Sequence, residues 1–397
     1  MIEANEAFFL INKNITRFEE EIKVIDSQNR ICSLNIYSLI DYPYFDNSAV
    51  DGYMLNLNYV TFDLNLKMYF MDLSSNIIFS GDKLLNDNFF ILNFAYEICT
   101  GAFVSKSFNC VIAKENIYIN ENKIFFSYFP KFGENIRLKG EGFKKGDLII
   151  SVYESINSLK IAFLLSSGIE KIFVFSFPKV LLLSTGDELV SCSDKISENK
   201  IYNSNIFMIN NELKKNFIFG VNCFFSNDNY KNITNILSNY LFYNLVIVLG
   251  GMSFGKHDFT RDAFNKLGVR EVFFLGNWKP GKPLYFGVSK GVYFFGLPGN
   301  PNSCYITFKV FVEYFINNFV GNIFIHFFLK GHFSFQYFKK NNCLLFLHGI
   351  LINKIFIINE NQNSNLISNL SNSNAIIFLN DCFYENSVSN LITYIFV

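Results

Sequence analysis

Leu245-Val246-Ile247-Val248-Leu249-Gly250-Gly251-Met252-Ser253-Phe254-Gly255-Lys256-His257-Asp258 runs from five apolar residues into a glycine-rich turn and on toward a helical stretch at 258–267. A short, continuous apolar run that ends in such a turn and then a helix is the repeating unit of a parallel sheet buried on both faces. Working outward, the unit recurs. Upstream lie strands at 179–183 and 221–225 with helices at 206–215 and 230–241; downstream, strands at 272–274, 283–286 and 292–295 precede a helix at 303–317. This order predicts a doubly wound, mainly parallel α/β domain over 169–320, with ligands at the carboxyl ends of its strands.

The flanking regions have different periods. Residues 5–28 carry apolar positions at helical spacing and predict a helical arm. From 31 to 129 the chain changes to short alternating runs, such as Tyr59-Val60-Thr61-Phe62 and Ile117-Tyr118-Ile119, which predict an all-β module. The polar loop Lys139-Gly140-Glu141-Gly142-Phe143-Lys144-Lys145-Gly146-Asp147 leads back to a helix at 155–166. After 321 strands return, at 343–347 and 354–358. The fold class is therefore multidomain α/β plus β: a discontinuous helical/β arm (1–43 and 131–168), an inserted β module (44–130), the α/β domain (169–320) and a small C-terminal β domain (321–397).

At 397 residues, half of them hydrophobic, the chain can fill several cores. Lys+Arg and Asp+Glu both number 34, so the net charge is zero and neither a nucleic-acid groove nor a basic membrane face is expected. Phe reaches 50 residues, which reads as compositional drift and strips aromatic stripes of meaning. The most lipid-like window, 310–329, still holds Glu313, Asn317, Asn318 and Asn322, so no membrane span is read there. No charged n-region precedes an apolar core at the N-terminus, and a cytoplasmic location is expected. The eight cysteines are scattered without C-x-x-C or Cys/His ligand spacing, so they are expected to be buried free thiols rather than zinc ligands.

Asn277-Trp278-Lys279-Pro280-Gly281-Lys282-Pro283 sets two lysines three apart around a Pro-Gly turn, and Leu297-Pro298-Gly299-Asn300-Pro301-Asn302-Ser303 opens a second rigid turn onto a serine. Together they make a cationic nest with backbone donors, suited to an anion. Leu183-Ser184-Thr185-Gly186-Asp187-Glu188 ends an apolar strand in two carboxylates, a place for a hard divalent cation beside a phosphate. The Gly250 to Asp258 turn lets backbone amides approach phosphate oxygens, with Asp258 available to a metal. Its resemblance to a P-loop fails at His257, where Ser or Thr should hold magnesium, and His257 reads as an exposed loop residue. Asp46, Asn47 and Asp51 crowd a turn before an apolar strand in the β module, and Ile98-Cys99-Thr100-Gly101-Ala102 is a weaker case of the same kind.

In this order, Phe45-Asp46-Asn47-Ser48-Ala49-Val50-Asp51-Gly52-Tyr53, Thr100-Gly101-Ala102, Ser184-Thr185-Gly186-Asp187-Glu188-Leu189, Ile201-Tyr202-Asn203-Ser204-Asn205, Gly250-Gly251-Met252-Ser253-Phe254-Gly255, Lys279-Pro280-Gly281-Lys282-Pro283 and Leu297-Pro298-Gly299-Asn300-Pro301 resemble the molybdopterin molybdenumtransferase family, the molybdenum insertases also found as a domain of gephyrin. The resemblance implies an enzyme that takes adenylylated molybdopterin and molybdate and releases AMP. It also implies an elongated homodimer of four-domain subunits, with the active site between the α/β domain of one copy and the β module of the other. Lys279, Lys282 and Ser303 would receive molybdate, framed by Pro283 and Pro298. Glu188, Asp228 and Asp258 would hold Mg²⁺, and Asp51 and Thr100 would come from the partner copy. Ser184, Thr185, Gly186, Gly250, Gly251, Ser253, Gly299 and Asn300 would line the pterin-nucleotide site, and Ser364 would be an anion contact. The molybdopterin adenylyltransferase and the molybdoenzymes served are implied partners.

The chain departs from the family pattern at Gly142 and Asn203, where carboxylates are usual, and at Leu249. An expected C-terminal arginine is represented by Lys339, which keeps the charge without the bidentate fork. Lower turnover is expected from these losses. A molybdopterin adenylyltransferase and a pterin-binding protein without turnover are the rival readings; the β module, the Lys279–Pro283 turn and the C-terminal domain weigh against the first, and the retained lysines and acids against the second.

Overall fold

The computed structural model describes every residue except 83–89, 253–258, 323–326, 334–342, 354, 360, 364–366, 380–387 and 397, with the backbone alone over 327–333 and 388–396. At its centre is a six-stranded sheet in the order Val221–Ser226, Val180–Thr185, Leu245–Leu249, Val292–Leu297, Pro283–Ser289, Arg270–Leu275. The first four strands pair in parallel, and Pro283–Ser289 runs antiparallel to both of its neighbours. Alternate side chains divide between two cores: Leu182, Ile247 and Phe295 on one face, Leu181, Leu183, Val246, Val248 and Phe294 on the other. That period of two, with both faces buried, is why these strands read as unbroken apolar runs. The chain leaves Val180–Thr185 toward one neighbour and later returns on its other side at Leu245–Leu249, so the switch point lies between Thr185 and Leu249.

The N-terminal helix is shorter than its sequence suggests. It spans Ala4–Asn14, with Ala7 and Ile11 wholly buried against the central core, and Ile15 is already extended. Glu19–Lys23, expected to continue the helix, is a strand paired antiparallel with Lys171–Phe175. Cross-strand hydrogen bonds to a segment 150 residues away, with Lys171 on Glu21 at 3.2 Å, override the local helical spacing.

The β module is a seven-stranded sheet in which Gly52–Leu55 lies between Cys110–Ala113 and Phe94–Ile98. Its two faces bury separate clusters around Leu55 and Ile112, and around Met54 and Val111. The C-terminal sheet pairs Leu344–Ile352 with both Ile355–Ile358 and Ala375–Leu379 and closes on itself through Phe327–Phe333 and Val388–Phe396. It also takes in Trp278–Lys279 from the α/β region, parallel to Leu344–Leu345, a pairing the sequence reading did not include. Phe346 and Ile376 on its outer face join the same core as Trp278 and Phe311.

Among the described residues, no helix is long and apolar enough to cross a membrane. The described cysteines are free thiols, but only Cys32, Cys110 and Cys304 are buried; Cys99 and Cys343 are half-buried, and Cys192 and Cys223 are exposed. Cys382 lies outside the described residues.

Candidate functional site

The carboxyl ends of the four parallel strands supply the site. Backbone hydrogen bonds from Gly186 to Ser226 O (3.3 Å) and from Gly250 to Leu297 O (3.1 Å) tie adjacent strand ends together. Around the switch point a cleft of about 330 Å³ is lined by Ser184, Thr185, Glu188, Asn203, Asp228, Gly250, Gly251, Pro298, Gly299 and Asn300, among others. Gly250 and Gly251 have φ of +90° and +65°, and a Cβ on either would press on Thr185, or at Gly251 also on Thr260 Oγ1 at 2.4 Å. Only glycine lets this backbone lie so close to the strand end, leaving room for a ligand to meet main-chain amides.

A second cleft of about 580 Å³ is lined by Lys279, Pro280, Gly281, Lys282, Pro283 and Ser303 together with Met1, Asn277, Trp278 and Cys343. Pro283 lines both clefts. The Lys279–Pro280 peptide is cis, and Gly276 N–H closes the loop on Lys282 O at 3.0 Å. Beneath it Trp278, almost fully buried, donates from Nε1 to Gly281 O at 2.9 Å and packs against Phe311. Gly281 has φ +83° and leaves no space for a Cβ, which would sit 2.2 Å from Thr307 Cγ2. Both lysines are exposed, and among the described residues neither pairs with a carboxylate. Ser303 is buried in the first turn of the helix Pro301–Thr307, whose N-terminal amides add to the positive end. This is a cationic cleft with a fixed floor, suited to a compact oxyanion.

The rim of the first cleft is acidic. Asp228 N–H donates to Asp187 Oδ1 at 3.0 Å. Burial, then the charges of Asp187 and Glu188, push the Asp228 carboxyl above its ordinary range. Among the described residues no lysine or arginine side chain pairs with these three acids, although Lys200 Nζ reaches the Asp187 carbonyl at 2.5 Å. Nor do three His, Cys, Asp or Glu side chains of the described residues converge as a complete metal cage. An acidic rim whose charges raise the proton affinity of Asp228 still fits Mg²⁺, which takes one or two carboxylate ligands and completes its shell with water and phosphate oxygens.

Asp51 and Thr100 are brought together, but elsewhere. Thr100 donates to Asp51 Oδ1 from its backbone N (2.7 Å) and its hydroxyl (2.9 Å), and Lys114 lies 3.7 Å from the other oxygen. These bonds, the backbone one foremost, hold the Asp51 carboxyl below its usual range. The pair sits in the β module and lines neither cleft. Ser253, His257, Asp258, Lys339 and Ser364 lie outside the described residues. Asn203 accepts from Ser184 Oγ at 3.0 Å and is nearly buried, so the amide at this position is part of the cleft wall. Gly142 lines neither cleft; its place is the Tyr42 turn, where its N–H donates to Tyr42 O at 3.0 Å.

Sequence reasoning missed Met1 and Cys343, and gave Asn205 no role although it closes the Ile201–Asn205 motif. Met1 and Cys343 reach the lysine cleft through pairing of Ile2 with Gly276 and of Leu344 with Asn277, contacts without a local signal. The Asn205 amide donates to Gly299 O at 2.7 Å and pins the Pro-Gly-Asn turn; its place at the start of the helix Asn205–Lys215 was the available clue.

A glycine-lined cleft at the switch point of an α/β domain, in a chain that also carries a separate β module and a closed C-terminal sheet, defines a multidomain cofactor-handling protein. Residues 181–318 match the family described as a probable molybdopterin binding domain, and residues 2–168 match the MoeA N-terminal region, domains I and II. A molybdopterin molybdenumtransferase of Haemophilus influenzae is 33% identical over 296 residues, spanning 74% of this chain and 71% of its own. One from Nostoc is 28% identical, spanning 78% and 72%. The crystal structure of the molybdopterin biosynthesis moea protein from Pyrococcus horikosii superposes with a TM-score of 0.82 over 99% of this chain and 97% of that one, a likeness of fold at 22% identity. The chain belongs to the molybdopterin molybdenumtransferase family, transferases of molybdenum cofactor biosynthesis.

Proposed function

We propose that this chain is a molybdenum insertase, converting adenylylated molybdopterin and molybdate to molybdenum cofactor and AMP. The observation that carries the reading is the meeting of two unlike clefts at Pro283: one glycine-lined with an acidic rim, the other cationic and empty of carboxylates among the described residues. The first suits a pterin-nucleotide with its pyrophosphate on the amides of Gly250 and Gly251. The second suits molybdate, a dianion, against Lys279, Lys282 and Ser303. The fixed loop floor holds these donors in place before the anion arrives, so little reorganisation is needed when metal and dithiolene meet.

Glu188 and Asp228 would hold Mg²⁺, with Asp258 as a third candidate; the cation would neutralise charge on the pyrophosphate and the departing AMP oxygen. Asp51 and Thr100 line neither cleft of their own chain, which favours a homodimer in which a partner copy supplies them. A cytoplasmic location and hand-over from a molybdopterin adenylyltransferase to molybdoenzymes complete the proposal.

The test is HPLC detection of AMP after mixing purified protein, adenylylated molybdopterin, Mg²⁺ and molybdate. Molybdate-dependent AMP release is expected. ATP consumption on molybdopterin would instead make the protein an adenylyltransferase, and tight pterin binding without AMP would make it a binding protein.

A further inference from the structure

Along Leu344–Ile352 the side chains alternate. Leu345 and Leu347 fill the interior of the C-terminal sheet, while Phe346 faces the α/β core and meets the Phe311 ring at 6.0 Å. His348 follows on that same outer face and is completely buried in this joint. A polar ring in such a place is tolerated only when its nitrogens are bonded, and both are. Nε2 lies 3.1 Å from Asn302 Nδ2 and Nδ1 lies 2.9 Å from Ser373 Oγ.

The partners fix the tautomer. Asn302 Nδ2 also donates to Asn363 O at 3.2 Å, and a carbonyl can only accept. The second amide hydrogen therefore points at His348 Nε2, which carries no proton. The ring proton sits on Nδ1 and goes to Ser373 Oγ, whose own hydrogen goes to Asn369 O at 3.1 Å. Asn359 Nδ2 also lies 3.3 Å from Nδ1, but its two hydrogens go to the nearer Asn369 O at 2.6 Å and to the same Ser373 hydroxyl at 2.8 Å, so it does not claim the Nδ1 position. The His348 backbone clamps Gln362 in both directions, its N–H donating to Oε1 at 3.1 Å and its O accepting from Nε2 at 2.8 Å. The groups facing the ring, Asn302 from the helix Pro301–Thr307 and Ser373 and Asn359 from the C-terminal sheet's loops, are all neutral.

Asn302 immediately precedes Ser303 of the cationic cleft, and is itself fully buried. We propose that His348 is a positioning residue: as the neutral, Nδ1-protonated ring it locks the Asn302-Ser303 turn of the α/β domain to the 361–363 loop of the C-terminal sheet, so that the turn stays fixed as the wall of the oxyanion cleft that Ser303 lines. The role of that wall rests on the molybdate reading above; the lock itself does not. Protonating Nε2 sets N–H against N–H at Asn302, and turning the amide to relieve it sets Oδ1 against Asn363 O. One of the two bonds must break. Burial agrees with this, lowering the His348 pKa to about 4.

Two measurements on the full-length protein test the proposal. In an NMR titration, the His348 resonance, assigned by its loss in His348→Gln, should stay neutral down to about pH 4–5, and Asn302→Asp should raise its pKa by roughly 2 units because a carboxylate beside Nε2 favours the imidazolium. A wild-type pKa near 6.5, or no rise in Asn302→Asp, overturns the lock. In calorimetric titration with molybdate, His348→Leu should weaken binding about tenfold, with His348→Gln, which keeps an acceptor and a donor, recovering most of it. Unchanged affinity in a folded His348→Leu protein overturns the positioning role; if that variant does not fold, His348→Gln binding far below wild type does so. Absence of molybdate binding by the wild type would instead sink the oxyanion reading of the cleft, and the titration alone would then decide the lock.

Discussion

The two clefts that meet at Pro283 hold opposite charges in opposite ways. The lysine loop has a buried indole under it, a hydrogen bond across it and a helix pressed against Gly281. The acidic rim has Asp187 and Glu188 on exposed turns, and Asp228 is repelled by both. An anion entering the first meets a finished surface; the second lowers its energy only when a cation arrives. The anion end is thus preorganised and the cation end is completed by what binds, as expected where a free oxyanion must be captured from water but the metal can travel with a pyrophosphate.

The comparison breaks most severely at the lysines. Lys279→Ala and Lys282→Ala are each expected to cut molybdate-dependent AMP release by about 100-fold or more, with circular dichroism unchanged, because each removes a preplaced charge from a surface that gains nothing else. Equal rates would place the anion elsewhere. Gly281→Ala should act on the frame instead: a Cβ at positive φ, in collision with Thr307, is expected to cost about 2–4 kcal/mol in urea unfolding and to weaken oxyanion binding with it.

The acidic rim sharpens the contrast through pH. Since the Asp228 carboxyl titrates above its ordinary range, the folded state holds its proton more tightly than the unfolded one. In EDTA, the stability this gives is present at low pH and is lost as pH rises through the raised value. Mg²⁺ should restore the lost thermal stability near neutral pH and have little effect at pH 4; Asp228→Asn should flatten both trends. A melting temperature insensitive to Mg²⁺ throughout would remove the rim from the metal account. The smallest effect is expected at Asn203→Asp. The carboxylate can still accept from Ser184 and adds charge near the rim, so the steady-state rate should rise by no more than a few-fold, while Gly142→Asp, whose Cβ would lie 3.1 Å from Tyr42 O, should change stability by about 1 kcal/mol and leave the rate alone.

Much of this was legible before any coordinates. The apolar runs of the central sheet gave strand positions directly because both faces are buried, and Leu245–Leu249 falls at the residues its sequence predicted. The glycines and prolines of both clefts were readable because their special backbone conformations restrict residue choice. What escaped depends on distant partners. Glu19–Lys23 became a strand through Lys171–Phe175, and Trp278–Lys279 through Leu344–Leu345. His348, the last histidine of the chain, sits in an alternating strand without a motif; its importance comes from Asn302, 46 residues earlier, which only the fold brings to its ring.

That borrowed strand has a consequence for the way such a protein can be cut apart or recombined. A boundary drawn after the helix at Phe319 would separate Trp278–Lys279 from the sheet that completes its pairing, uncovering the indole and the Asn277 carbonyl together. The C-terminal sheet is therefore no detachable appendage. A chimera that takes this sheet from a relative should inherit the relative's lysine loop with it, since the two form one unit of exchange although more than sixty residues lie between them in the chain.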